Sequence, residues 1–369
     1  MDKEELKYWL GFSAFPGIGP LRFKLLREYF GSAKKAWEAQ EEVLFKIGLG
    51  EKLTAKFIAF KNHFSLEDYE AALKKENIWV ITLGDKNYPK LLQEIPDAPF
   101  VLYIRGERNI DWDIDRSIAI VGTRKITNYG REVTRRLVEG LVDAGLTIVS
   151  GMAYGVDAVA HESAIEGRGK TIAVLGCGVD VIHPKSNTTL YWTIIKKAGW
   201  VISEFPMGRF AEKGLFPARN RIISGLSLGV VVTEGAEDSG ALITASYAAE
   251  QGREVFAVPG PITSQMSKGP TILLKQGAKI VTEAKDILDE LKIKKQESRI
   301  MGKNLKDNKT LSKEEKSILI LLQNENLHFD DLVRKSSISA SRLAGLLTMM
   351  EMQGLIKNLG QGVYSVGHG

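Results

Sequence analysis

The stretch FPARNRIIS, residues 216–224, sets Arg219, Asn220 and Arg221 side by side, behind Phe216 and Pro217 and ahead of Ile222 and Ile223. Two guanidinium forks and an amide are groups that hold phosphate or carboxylate oxygens. The plain alternative is that Arg219 or Arg221 pairs with Glu204 or Glu234 and holds a sheet edge. Other cations follow apolar runs in the same way: Arg124 and Lys125 in VGTRK, and Lys185, with Asn187, in HPKSN. Ser150-Gly151 and Ser239-Gly240 add backbone N–H groups that a missing Cβ leaves open to a phosphate. Gathered on one rim, these residues would bind a polyanion.

Other chemistries fit less well. GRGKT, 167–171, imitates a phosphate-binding loop, but Ala164 stands where the first glycine belongs, and the stretch leads into a strand instead of leaving one. GCGVDV carries two glycines of the dinucleotide fingerprint and lacks the third. The histidines, His63, His161, His183, His328 and His368, have no cysteine partner at metal-binding spacing and form no HExxH. No cofactor and no metal are expected. Asp157 and His161 lie four apart and could meet on one helix face; no nucleophile accompanies them, so a structural pair is the expectation.

The elements that position these residues read as α/β. Between 77 and 291, near-continuous apolar runs alternate with helical stretches: SIAIVG, LTIVSG, TIAVLG, WVISEF, LGVVVTEG, REVFAVPG and AKIVTE. Such runs indicate a parallel sheet covered on both faces. Ligands of such sheets sit beyond the carboxyl ends of the strands. Here those ends carry Gly122, Gly151, Gly176, Gly178, Gly235 and Gly260. Residues 79–107 read as a small extra β element.

Residues 1–76 read as helical. Pro16-Gly17-Ile18-Gly19 and Ile47-Gly48-Leu49-Gly50 each precede an amphipathic run. That pattern suits a helix-hairpin-helix module, whose glycines bring N–H groups to a DNA phosphate, or a bundle of the sterile-alpha-motif type, whose glycines only turn the chain. Residues 292–311 are lysine-rich and aperiodic, a basic linker. Residues 312–369 give helical patterns and two short strands, a winged-helix pattern, with a capping box expected between Ser312 and Glu315. The recognition helix would offer Arg342 alone among many apolar residues, which favours protein contact or a modest DNA role over strong groove binding.

The chain of 369 residues suits two or three domains. Its net charge of +5 is compatible with a polyanion partner. Cys177 is the only cysteine, so no internal disulfide forms and a reducing compartment is expected. The acidic opening MDKEELKYWLGF is unlike a signal peptide, and no apolar run approaches a membrane span. The expected location is the cytoplasm, with no membrane partner.

Several separated segments resemble the DNA-processing protein A (DprA, or Smf) family in family order: YPKLLQEIPDAPFVLYIRG, IAIVGTRKITNYG, IVSGMAYGVDAVAH, IAVLGCGVDVIHPKSN, ISEFPMG, FPARNRIISGLS, EGAEDSGALITASYAAEQGREVF and VFAVPG. The resemblance implies an extended Rossmann-like parallel sheet core between the helical and winged-helix modules, in a homodimer that binds single-stranded DNA, protects incoming strands and helps load the RecA recombinase during natural transformation. It does not imply an enzyme. It carries the DNA-contact role most clearly to Arg124, and more loosely to Lys185, Arg219 and Arg221. Read from the residues themselves, Gly122, Thr123, Lys125, Ser150, Gly151, Asn187, Asn220, Ser239 and Gly240 complete the expected nucleic-acid site. Family members often have Ser where Thr123 stands and Tyr where His183 stands. An imidazole can still stack on a base. Two rival readings are a phosphoribohydrolase-like nucleotide enzyme and a ligand-sensing winged-helix regulator. The first needs a glutamate after the glycines of EGAEDSGALITA, where Ile243 or Thr244 stands instead.

Overall fold

The computed structural model describes residues 2–108, 114–293, 312–336, 338–352, 355–360 and 362–366. The chain folds as two compact units, Met1–Gln296 and Glu297–Gly369. Beyond Ile293, the expected linker lies outside the described residues.

The first unit is built on a nine-stranded sheet of order β1-β2-β6-β5-β4-β3-β7-β8-β9. Its strands are β1 (Trp79–Thr82), β2 (Val101–Gly106), β3 (Ser117–Val121), β4 (Thr147–Ser150), β5 (Thr171–Val174), β6 (Gly199–Ser203), β7 (Gly229–Val232), β8 (Glu254–Ala257) and β9 (Lys279–Ile280). From β6 to β9 all neighbours are parallel. The extra element is β1 and β2, which extend the β6 edge antiparallel. The apolar runs form these strands because side chains on both faces are buried. Ile118 and Ile120 point to one layer with Leu137, Leu141 and Ile287. Ala119 and Val121 point to the other with Ile222, Ile223 and Ala245. Strand order reverses between β3 and β7. The crevice at such a switch point is where open α/β sheets bind ligands.

The N-terminal helices, Lys3–Ala14, Pro20–Phe30, Ala33–Glu38, Glu51–His63 and Leu66–Lys75 among them, do not stand apart from the sheet. They share one core with it. Phe23 stacks on Phe100 with ring centroids 4.0 Å apart, and the Tyr103 hydroxyl of β2 donates to Ser13 Oγ at 3.0 Å. The two Gly-hydrophobic-Gly turns fall where expected, with Gly19 and Gly50 immediately before the helices at Pro20 and Glu51.

In the second unit, the helices Lys313–Asn324, Phe329–Ser336 and Ala340–Met352 pack with a small sheet of β10 (Leu327–His328), β12 (Val363–Val366) and β11 (Ile356–Gly360) in that order. The capping box is present: Glu315 N donates to Ser312 Oγ at 3.2 Å and Ser312 N to Glu315 Oε2 at 2.7 Å. Leu343, Leu347 and Met350 of the last helix are core, not contact surface. Arg342 is engaged bidentately by Glu314, with its closest contact at 2.8 Å. No helix among the described residues is long and apolar enough to cross a membrane.

Candidate nucleic-acid interface

The loop after β3 is held before anything binds to it. Thr123 N donates to the Glu234 carbonyl at 2.8 Å, and the Thr123 carbonyl accepts from Val156 N at 3.1 Å. The buried Glu234 carboxylate then accepts from Thr127 N at 3.0 Å and from Thr127 Oγ1 at 2.6 Å. Thr127 in turn caps the helix Asn128–Asp143, accepting from Gly130 N at 3.1 Å. Gly130 is required there, since a Cβ would lie 2.0 Å from Glu234 Oε2. Arg124 and Lys125, between these ties, are exposed, and neither forms an ion pair among the described residues. A stationary backbone thus presents two free cations at the switch point.

The loops after β4 and β5 lie against it. Gly155 has φ +76°, and a Cβ on it would meet the Thr123 carbonyl at 2.3 Å. From the other side, Asn187 Nδ2 donates to the Met152 carbonyl at 2.9 Å. Asn187 is therefore a brace, and it sets exposed Lys185 beside the same rim. Tyr154, between these two contacts, is half exposed.

Phe216 supplies the planar surface. Its ring lies 5.4 Å from the His183 ring, tilted by 36°, and Arg124 Cζ sits 5.6 Å from its centroid. His183 stands out in the sequence, but nothing there shows that Phe216 and Arg124 complete the group. Glu234, expected only as a possible partner of Arg219 or Arg221, is instead the anchor of the loop. The pattern Gly122-Thr-Arg with a later buried Glu is too distant in sequence to pair without the β3–β7 register.

The structure corrects the reading of FPARNR. Its arginines do not gather on the open rim. The stretch lies inside the helix Leu215–Gly225, whose first turn tolerates Pro217 because no N–H partner is needed there. Arg219 and Arg221 both point inward and are buried. Arg221 is the ion pair offered as the alternative: Nε is 2.8 Å from Asp97 Oδ2 and NH2 is 2.6 Å from Glu204 Oε2. Arg219 donates to the carbonyls of Gly151, at 2.6 Å, and Val174. Burial, offset in part by Asp157, lowers its pKa to about 10, so it stays charged at neutral pH. It underpins the rim from below.

Ser150 is likewise fully buried, its hydroxyl donating to the Ile120 carbonyl at 2.7 Å, and a Cβ on buried Gly151 would strike the Arg219 guanidinium. Neither residue faces the rim. Ser239 caps the helix Gly240–Glu250, accepting from Ala241 N at 3.3 Å, and Gly240 is open to solvent. Asn220 Nδ2 reaches the Gly240 carbonyl at 3.4 Å, joining this end to the helix of Arg219.

Asp157 and His161 do not pair. Asp157 accepts from Ala153 N at 3.3 Å; burial raises its pKa against the pull of Arg219. His161 Nδ1 lies 2.6 Å from Thr171 Oγ1, whose own proton goes to the Ile148 carbonyl. The threonine oxygen can only accept, so Nδ1 carries the imidazole proton. Nε2 is left buried without a polar partner among the described residues.

Comparison with known proteins places this geometry. A family model described as DNA recombination-mediator protein A matches residues 79–292, more than half of the chain. The chain belongs to that family. A second, described as the DprA winged helix domain, matches residues 306–362. Protein Smf of Synechocystis is 40% identical over 295 residues, covering 79% of this chain and 74% of that protein. DNA processing protein DprA of Bacillus subtilis is 43% identical over 221 residues, covering 60% and 74%. The solved DNA processing protein A of Streptococcus pneumoniae superposes with a TM-score of 0.66 at 35% identity, over 78% of this chain and 98% of that one. The Helicobacter pylori protein, solved for its single-stranded DNA binding mode, gives 0.52 at 29% identity, over 58% and 95%. The DprA resemblance and the α/β, N-terminal helical and winged-helix architecture expected from the sequence are both borne out.

Proposed function

We propose that this protein binds single-stranded DNA across the rim formed by the ends of β3, β4, β5 and β7, protects incoming strands in the cytoplasm, and as a homodimer helps load RecA. The observation that carries the reading is the union of free cations and flat rings. Arg124, Lys125 and Lys185 reach for phosphates, and the Phe216–His183 pair beside Arg124 offers bases a stacking surface. That combination suits single strands of any sequence, because every base has a π-face. Binding proceeds without catalysis: at the place of the hydrolase glutamate stand exposed Ile243 and buried Thr244. The description of the family as recombination mediators supports the recombinase role, and the common two-fold pairing of soluble oligomers supports the dimer.

The test is an anisotropy titration with single-stranded and blunt duplex DNA across salt concentrations, without nucleotide. Tight single-strand binding, with a log–log slope of roughly 0.7 per phosphate contacted, is expected. Equal affinity for duplex, or dependence on ATP, would falsify the reading. Recombinase loading is tested separately, by whether the protein speeds RecA assembly on strands precoated with a single-strand-binding protein.

A further inference from the structure

We propose that the strand held at the rim continues along the segment 185–198, and that Trp192 stacks on one of its bases about two or three nucleotides beyond Lys185. This rests on the single-strand reading above. A 3₁₀ turn (Lys185–Asn187), an α-helix (Thr188–Thr193) and a π-turn (Ile194–Ala198) follow one another without a break. Leu190, Tyr191, Ile194 and Ala198 face the core. Lys185, Thr189, Trp192 and Lys196 are left on the outer side. The stripe starts at a cation of the rim and leads away from it. From Lys185 to Trp192 is about 10 Å at helical rise, the length of about three stacked nucleotides.

Trp192 is 42% exposed, although indole is among the most valuable groups to bury. It is also held still. Its ring stands at 90° to Tyr191, centroids 5.2 Å apart. Tyr191 is fixed in turn by donating to the Val179 carbonyl and accepting from Arg105 NH1 at 3.2 Å. Two cations flank the indole: Arg105 Cζ at 5.9 Å and Lys196 Nζ at 6.0 Å from its centroid. Arg105 is neutralised by Glu76 at 2.7 Å. Lys196 and its neighbour Lys197 are exposed and form no ion pair among the described residues. A fixed, open aromatic face with unpaired ammonium groups beside it is what a base and its phosphates require.

The full-length protein is compared with Trp192→Ala, Trp192→Phe and Lys196→Ala, using labelled oligothymidylates of about six and about twenty nucleotides. Circular dichroism melting is followed for each. The expected result is that Trp192→Ala weakens the long strand roughly tenfold or more and the short strand hardly at all. Trp192→Phe keeps most of the affinity, and Lys196→Ala lowers the salt slope by about 0.7. Wild-type affinity of Trp192→Ala for the long strand overturns the proposal and leaves the rim reading intact. So does an equal loss on both strands, or a loss that phenylalanine fails to rescue. If the wild type binds neither strand, both readings fall.

Discussion

Arg124 and Arg221 carry the same group to opposite ends. Arg124 is exposed and forms no ion pair among the described residues, whereas Arg221 is buried between Asp97 and Glu204. Arg124→Ala is therefore expected to weaken single-strand binding at least tenfold, as the loss of a charge-assisted hydrogen bond of about 1.5–3 kcal/mol implies, with an unchanged melting temperature. Arg221→Ala should instead cost about 3 kcal/mol of folding stability, since it strands Glu204, whose side chain is only 12% exposed, as urea denaturation would show. Charge reversal at Arg219 and Arg221 would then report on folding more than on binding. His161 adds a pH signature. Burial, aided by nearby Arg219, lowers its pKa from 6.5 to about 3. Between those values the unfolded chain takes up a proton that the fold refuses. The contribution of His161 is thus fully present above pH 6.5 and is lost as pH falls toward 3, by at most about 1.4 kcal/mol per pH unit. Asp157 and Glu204, whose pKa values burial raises, act with the opposite sign at the acid end. The difference between wild type and His161→Asn isolates the imidazole. Urea midpoints at pH 7 and 4.5 that shift equally in the two would refute the assignment.

At the scale of elements, the loop after β3 depends on one acid just past the end of the neighbouring strand, β7. Glu234→Ala leaves Thr127 N–H and its hydroxyl without their acceptor. Gly130→Ala drives a methyl into the same carboxylate. Each is expected to lower single-strand affinity by about fivefold, the worth of roughly 1 kcal/mol. The double variant should be no worse than either, because both act through one contact; additive losses would show that they do not. The strands themselves were legible in the sequence, because residues buried on both faces leave near-continuous apolar runs. The cations at strand ends were legible too. What was not legible depends on contacts far apart in the chain. Nothing in FPARNR reports which way a helix will turn its arginines. That is decided by the carbonyls of Gly151 and Val174, and by Asp97 and Glu204, once β4, β5 and β6 lie side by side. The sharing of one core by the N-terminal helices and β2 escaped for the same reason.

At the scale of the molecule, the rim lies wholly within the unit Met1–Gln296. A chain ending at Gln296 is expected to keep its circular dichroism signature and to bind single strands within about twofold of full length. The reason is that Arg124, Lys125, Lys185, His183 and Phe216 all lie within this unit, and the one arginine of the last helix, Arg342, is occupied by Glu314. Loss of binding in the folded truncation would move the site. The tie between Glu234 and Thr127 has a further consequence. A surface loop ordinarily exchanges its amide protons freely with solvent, but here those of Thr123 and Thr127 are committed to a buried residue of the neighbouring strand end. Both should exchange as slowly as the sheet, in the absence of any DNA. A strand arriving at Arg124 then orders almost nothing. The change in loop protection on binding should be small, and the gain in affinity from strand length should come from phosphates and bases added, not from a loop that closes.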